Sequence, residues 1–170
     1  MERKYKLTEE TINVGDKTLY RIEALRDFSN IEKGDKGGYI ENEKNLSQSD
    51  DCWVYGNAKV FGNAKVYGYA KVFINANIYG NAQVYNNAKV FANAKVYDDA
   101  KVYDDAEVYD NAEVCGKAEI YGNAEVCDNA KICDDAKVYG SALVCDYARI
   151  YGNAQVCNNT IVYGDAVVCG

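Results

Sequence analysis

The chain contains no histidine and no proline, and only one methionine and one tryptophan among its 170 residues. Without histidine the commonest general base and the commonest zinc ligand are missing, so much of enzyme chemistry is excluded at the outset. No run approaches eighteen apolar residues, and Met1-Glu2-Arg3-Lys4-Tyr5-Lys6 has no apolar region behind it. Neither a membrane span nor a signal peptide is expected, which points to the cytoplasm, or to the host cytoplasm for a phage-encoded product. The net charge of -7, from 19 bases and 26 acids, speaks against phosphate binding over the whole surface and against direct sequence-specific nucleic-acid binding. Seven cysteines is an odd number, and six of them share one repeat position. That distribution reads as substitution within a pattern, not as a disulfide framework.

What the chain has in abundance is repetition. From Val54 to Val168 every sixth residue is Val or Ile, twenty positions without exception. Four residues after each, from Ala58 to Ala166, stands Ala in eighteen of nineteen cases, Thr160 being the departure. A six-residue period does not fit the 3.6-residue stripe of a helix, whereas the Ala-Lys-Val-Tyr half of the unit alternates as a strand does. Ala and Val then share one face and the residues between and after them face the other way. The remaining pair is Gly-Asn, Asp-Asp, Asn-Asn or Asp-Asn, types that tolerate turn geometry. Short strands joined by bends of one sense wind into a solenoid in which each strand pairs in parallel with its counterpart one coil later. Three strands per coil leave a thin triangular core of Ala and Val with Tyr outside. The twenty strands make six to seven coils, and at about 4.8 Å per coil the rod is roughly 30 Å long.

The unit Val-x-Gly-Asn-Ala-x resembles the hexapeptide-repeat proteins, whose fold is an all-β, single-stranded left-handed parallel β-helix. The resemblance covers about two thirds of the chain. Gly34-Asp35-Lys36-Gly37-Gly38-Tyr39-Ile40-Glu41, Asn45-Leu46-Ser47-Gln48 and Cys52-Trp53-Val54-Tyr55 resemble the segment that precedes the coils in a bacterial and prophage group of such proteins. This similarity implies a phage or mobile-element origin and supplies no activity. Hexapeptide acyltransferases use a histidine base and loops that interrupt the coils, and the similar carbonic anhydrases hold zinc with three histidines. Residues 54–168 contain neither histidine nor insertion, so no catalytic, cofactor-binding or metal-binding residue carries over.

Two domains follow: an N-terminal β cap over residues 1–50 and the β-helix over 51–170. Tyr5 to Val14 and Thr18 to Leu25 read as a hairpin about Gly15-Asp16, and the glycine-rich stretch through Gly38 reads as a loop. A cap is needed because an open end of a parallel stack exposes unpaired backbone groups.

Residues eighteen apart form outward columns. The position after each aliphatic residue is Tyr eleven times, Phe three times and Cys six times, and one column reads Tyr67, Tyr85, Tyr103, Tyr121, Tyr139, Cys157. Five stacked tyrosines make a broad aromatic strip, suited to a protein interface or simply to holding coils together. Asn57, Asn75, Asn93, Asn111 and Asn129 read as an amide ladder at one corner. Cys115, Cys127, Cys133, Cys145, Cys157 and Cys169 occupy the aromatic position toward the C-terminus. Side chains that run parallel make poor disulfides, and ligands in a flat column do not converge on a metal. Calcium at stacked Asp110, Asp128 and Asp146 would likewise find too few oxygens.

Charge is segregated along the rod. Residues 53–97 contain five lysines and no acid, whereas residues 98–135 contain twelve acids and three lysines. Asp98, Asp99, Asp104, Asp105 and Asp110 occupy three consecutive corners, with Glu107 and Glu113 between them. Such a belt suits either a basic partner or simple solvation. Leu143, Ile161 and Val167 replace the polar mid-strand residues in the last coils and suggest a homodimer through that end. The expected function is therefore a non-catalytic binding protein, most sharply an anti-defence, anti-CRISPR-like inhibitor. Its acidic belt and tyrosine ladder would occupy the basic surface of a host nucleic-acid-binding effector. A hexapeptide-type acyltransferase relative and a structural rod or virion component are the alternatives.

Overall fold

In the computed structural model, which describes residues 2–170, the repeat forms three parallel sheets wound about a common axis. Twenty short strands, from Trp53–Val54 to Val167–Cys169, are dealt in turn to the three faces. The first face holds Trp53–Val54 through Ile161–Val162, the second Lys59–Val60 through Val167–Cys169, and the third Lys65–Val66 through Gln155–Val156. Pairing is offset by one coil of eighteen residues: Lys101 lies beside Glu119 and Val102 beside Ile120, for example. The expected parallel β-solenoid of about seven coils is therefore the fold.

Packing follows from residue size. Every repeat alanine from Ala58 to Ala148 and every repeat valine or isoleucine from Val54 to Ile150 is buried, and together they form one continuous core. Alanine beside each corner lets the three faces approach, while the larger residue in mid-face fills the centre. The corners close because the second residue after each aliphatic position has a left-handed backbone at all nineteen turns from Gly56 to Gly164. Gly, Asn and Asp accept that conformation readily; alanine and above all β-branched isoleucine do not. Ile74, at φ 66°, and Ala92, at φ 57°, are held in it by the coils on either side. Their carbonyls accept the amide protons of Asn57 and Asn75, each at 2.9 Å.

The expected hairpin is present as β1, Tyr5–Val14, and β2, Lys17–Ala24, turning at Gly15. The stretch expected to be a loop through Gly38 instead contains a strand, β3, Lys36–Ile40. β3 is antiparallel to β2 on one edge and parallel to Lys59–Val60 on the other, so it joins cap and solenoid into one sheet. Its glycines serve close approach: a Cβ on Gly38 would stand 2.5 Å from the Ala58 carbonyl oxygen, and one on Gly37 2.5 Å from that of Val54. Leu46 bridges in parallel to Val66, and Trp53–Val54 pairs with Lys71–Val72. Ile40, Leu46 and Val54 thus make the first coil, and the solenoid starts inside the segment that lacks the repeat. Trp53 fills this junction, edge-on to Tyr5 and Phe28 at centroid distances of 6.1 and 5.3 Å. The buried Lys4 donates from Nζ to the carbonyls of Asp50 and Cys52, and burial lowers its pKa. Among the described residues no helix is long and apolar enough to cross a membrane.

Candidate binding surface

Corner aspartates do structural work that the sequence did not reveal. Asp98, Asp104, Asp128, Asp134 and Asp146 sit at the left-handed position with φ between 56° and 58°. Each turns a carboxylate oxygen along the rod to accept a backbone N–H one coil on: Gly116 at 3.2 Å, Gly122 at 3.4 Å, Asp146 at 3.2 Å, Gly152 at 3.0 Å and Gly164 at 2.9 Å respectively. An aspartate there satisfies the turn and staples two turns together. The amide ladder is present in part, from Asn75 through Asn93 and Asn111 to Asn129 at 3.3–3.5 Å, and among the described residues the Asn57 side chain does not join it. On the other corners the ladders pass from amide to carboxylate, Asn81 donating to Asp99 at 2.9 Å and Asn87 to Asp105 at 3.0 Å.

The acidic belt divides accordingly. Its mid-strand glutamates are matched by lysines one coil away: Glu107 with Lys89 at 2.7 Å, and Glu113 with Lys95 at 3.0 Å and Lys131 at 3.5 Å. The Lys95 ammonium is the main cause holding the Glu113 carboxyl below the usual carboxylate range. Among the described residues the corner aspartates form no ion pair. Asp98 and Asp99 lie on the edge between the second and third faces, with Asp134 and Asp135 two coils along the same edge. Asp104 and Asp105 lie on the edge between the third and first faces, and Asp110 on the edge between the first and second. No single flat surface can touch all seven belt residues.

One face collects most of what the sequence singled out. The third face carries the tyrosine ladder, in which Tyr67, Tyr85, Tyr103, Tyr121 and Tyr139 stack with centroids 4.8–5.0 Å apart and planes within 5° of parallel. Asp98–Asp99 flank this face on one side and Asp104–Asp105 on the other. Tyr103 donates its hydroxyl to Glu119 at 3.0 Å; burial and that carboxylate raise its pKa. A depression beside the ladder is lined by Asp99, Lys101, Lys117, Glu119, Asp135 and Lys137. The ladders on the other faces are shorter and give way to cysteine. Among the expected interface residues, Leu143 and Ile161 are paired neighbours on the first face, whereas Val167 belongs to the second. Ile161 and Val167 are exposed, at 58% and 56%, and Tyr163 at 66% extends the apolar patch around Ile161.

The cysteine columns are less uniform than the repeat implies. The Cys115 and Cys133 sulfurs lie 2.7 Å apart, and the Cys133 thiol, as the leading cause, pulls Cys115 down to about 7. Cys127 is pushed up to about 11, mainly by burial. The Cys127 and Cys145 sulfurs and the Asp128 carboxylate lie within 4.8 Å of one another. The third group comes from the corner, which is how ligands converge where a flat column alone would not bring them together.

Comparison with known proteins bears on the fold. Residues 148–164 and 154–170 match the YdcK β-solenoid repeat. A solved structure of a candidate acetyltransferase from Bacillus cereus is similar, with 16% identity over 74% of this chain and 76% of its own and a TM-score of 0.38. Nothing among curated proteins matches. The chain is a parallel β-solenoid, and its last coils match the YdcK solenoid repeat.

Proposed function

We propose that the protein is a non-catalytic binding rod that presents its third face to a basic surface of another macromolecule. The observation that carries this is the coincidence on one face of the unbroken tyrosine ladder with aspartates on both bordering edges, none of them in an ion pair among the described residues, although Lys117 stands between Asp99 and Asp135 along one edge. Stacked tyrosines offer flat, preorganised area that loses little entropy on binding, and uncompensated carboxylates steer a cationic partner toward it. In its sharpest form the partner is a host nucleic-acid-binding effector, the carboxylates stand where phosphates would bind, and the protein is an anti-defence inhibitor. The apolar patch at Ile161 and Tyr163 is proposed to pair with a second copy.

Affinity capture from host lysate with the wild-type rod beside a D98N/D99N/D104N/D105N variant tests the first part. A basic nucleic-acid-binding protein retained by the wild type, lost by the variant and competed by nucleic acid is the expected result. Equal retention by both rods removes the acidic face from the interaction. Sedimentation of the wild type and I161K over a range of concentrations tests the pairing, with a monomeric I161K expected.

A further inference from the structure

We infer that Cys127, Cys145 and Asp128 form a binding site for a thiophilic d10 cation, of which zinc is the common physiological example. The residues lie at one edge of the first face. Cys127 and Cys145 are stacked one coil apart in the column Tyr109, Cys127, Cys145, Tyr163, and Asp128 follows Cys127 at the corner. All three ligand atoms already lie within 4.8 Å of one another. Around a zinc ion about 2.3 Å from each sulfur, tetrahedral ligands stand roughly 3.8 Å apart. The remaining closure is about 1 Å, within reach of small side-chain rotations.

The corner here is fixed by its turn and by a hydrogen bond to the next coil, which is what a preformed site requires. Asp128 has the left-handed conformation, φ 56°, and its Oδ2 accepts the N–H of Asp146 at 3.2 Å, so the carboxylate is aimed along the column. Its other oxygen has no hydrogen-bond partner among the described residues. The Cys127 thiol leans toward the same carboxylate, with Sγ 3.7 Å from Oδ2. Two thiolates and one carboxylate select a soft or borderline ion over magnesium or calcium, which require more oxygen donors. Three protein ligands leave a fourth position for water or an incoming group. The surroundings favour a cation, since Cys127 and Asp128 lie within the segment 98–135, whose twelve acids, Asp128 among them, outnumber its three lysines.

The other cysteine pair is the internal control. Cys115 and Cys133 are likewise stacked one coil apart, with sulfurs 2.7 Å from each other, yet among the described residues no carboxylate completes a three-ligand group with them. Reduced protein titrated with cadmium chloride is expected to develop a thiolate-to-metal charge-transfer band that saturates at one ion per chain and is competed by zinc. In C127S/C145S the band should vanish. D128N keeps a residue that tolerates the left-handed corner and retains an acceptor for Asp146, so the rod stays folded; cadmium affinity should fall about tenfold or more. C115S/C133S should bind as the wild type does. The assignment is overturned if no band forms, if the band survives C127S/C145S, if it is lost in C115S/C133S, or if D128N binds with unchanged affinity.

Discussion

Asp98 accepts the backbone N–H of Gly116 at 3.2 Å, from a corner where its own backbone is left-handed at φ 58°. The same aspartate therefore fits the turn, ties two coils and carries charge on the edge of the candidate binding face. These roles separate by substitution. Asp98→Asn removes the charge while keeping turn tolerance and an acceptor, so the denaturation midpoint should barely move. Asp98→Ala loses the staple and the polar side chain that eases the left-handed backbone, with a destabilisation of about 1–2 kcal/mol expected. If Asp98→Asn is as damaging as Asp98→Ala, the charge itself holds the corner.

Ile74 is the converse case, a β-branched residue at φ 66° that is half exposed. Ile74→Asn or Ile74→Gly relieves the strain without opening the core. Either should stabilise the rod by about 1 kcal/mol in urea titration. A loss of stability would mean that the exposed isoleucine packs to more effect than its surroundings suggest.

Gly38 allows β3 to lie against the coil that carries Ala58, whose carbonyl oxygen would be 2.5 Å from a Cβ on residue 38. Gly38→Ala must push the two strands apart and break the seam between cap and solenoid. A loss of about 1–3 kcal/mol is expected, with early hydrogen exchange in residues 36–40. Gly15→Ala meets nothing within 4 Å and should cost only its left-handed strain.

Lys95 and Glu113 pair one coil apart at 3.0 Å, and their pKa values are displaced in opposite directions, Lys95 up and Glu113 down, each chiefly by the hydrogen bond to the other. The stabilisation from Glu113 is present above the usual carboxylate range and is lost as pH falls through its lowered folded value. That from Lys95 is present below the usual lysine range and is lost as pH rises through its raised folded value. Both side chains meet solvent, so the pair is worth at most about 1 kcal/mol. Glu113→Gln should lower the neutral plateau by that amount and flatten both limbs of the stability profile, the acid limb through Glu113 itself and the basic limb through loss of the Lys95 shift. An unaltered acid limb would assign the sensitivity to other carboxylates.

Tyr103 lies between Tyr85 and Tyr121 at 4.9 and 5.0 Å. Tyr103→Phe keeps the stack and removes the hydroxyl bond to Glu119, a loss of about 0.5–1.5 kcal/mol. Tyr103→Ala breaks the strip as well and should weaken partner binding beyond its effect on stability. Equal partner affinity in both variants would make the ladder purely a coil-to-coil contact.

Most of the solenoid was legible because its signal is periodic: six residues per strand, eighteen per coil, Ala and Val inward and an aromatic outward. Ile40 and Leu46 already stand six apart, yet without flanking Gly-Asn-Ala units they did not announce the first coil. The β3 glycines read as loop residues because glycine is ambiguous in sequence. It permits an open bend or a strand pressed against another backbone, and only the neighbouring carbonyls at Val54 and Ala58 decide between them.

Repetition in the sequence determined the architecture, the core residues and the vertical columns, since every unit faces the same packing problem and solves it the same way. Tertiary structure decided how the three edges divide what the columns carry. The belt of acids became paired glutamates on the faces and aspartates on three separate corners, those on two of the corners hydrogen-bonded. A carboxylate at one corner met two thiols one coil apart, while another cysteine pair remained without one. These distinctions depend on side-chain direction and on distances of a few ångströms between coils, which the six-residue period leaves undefined.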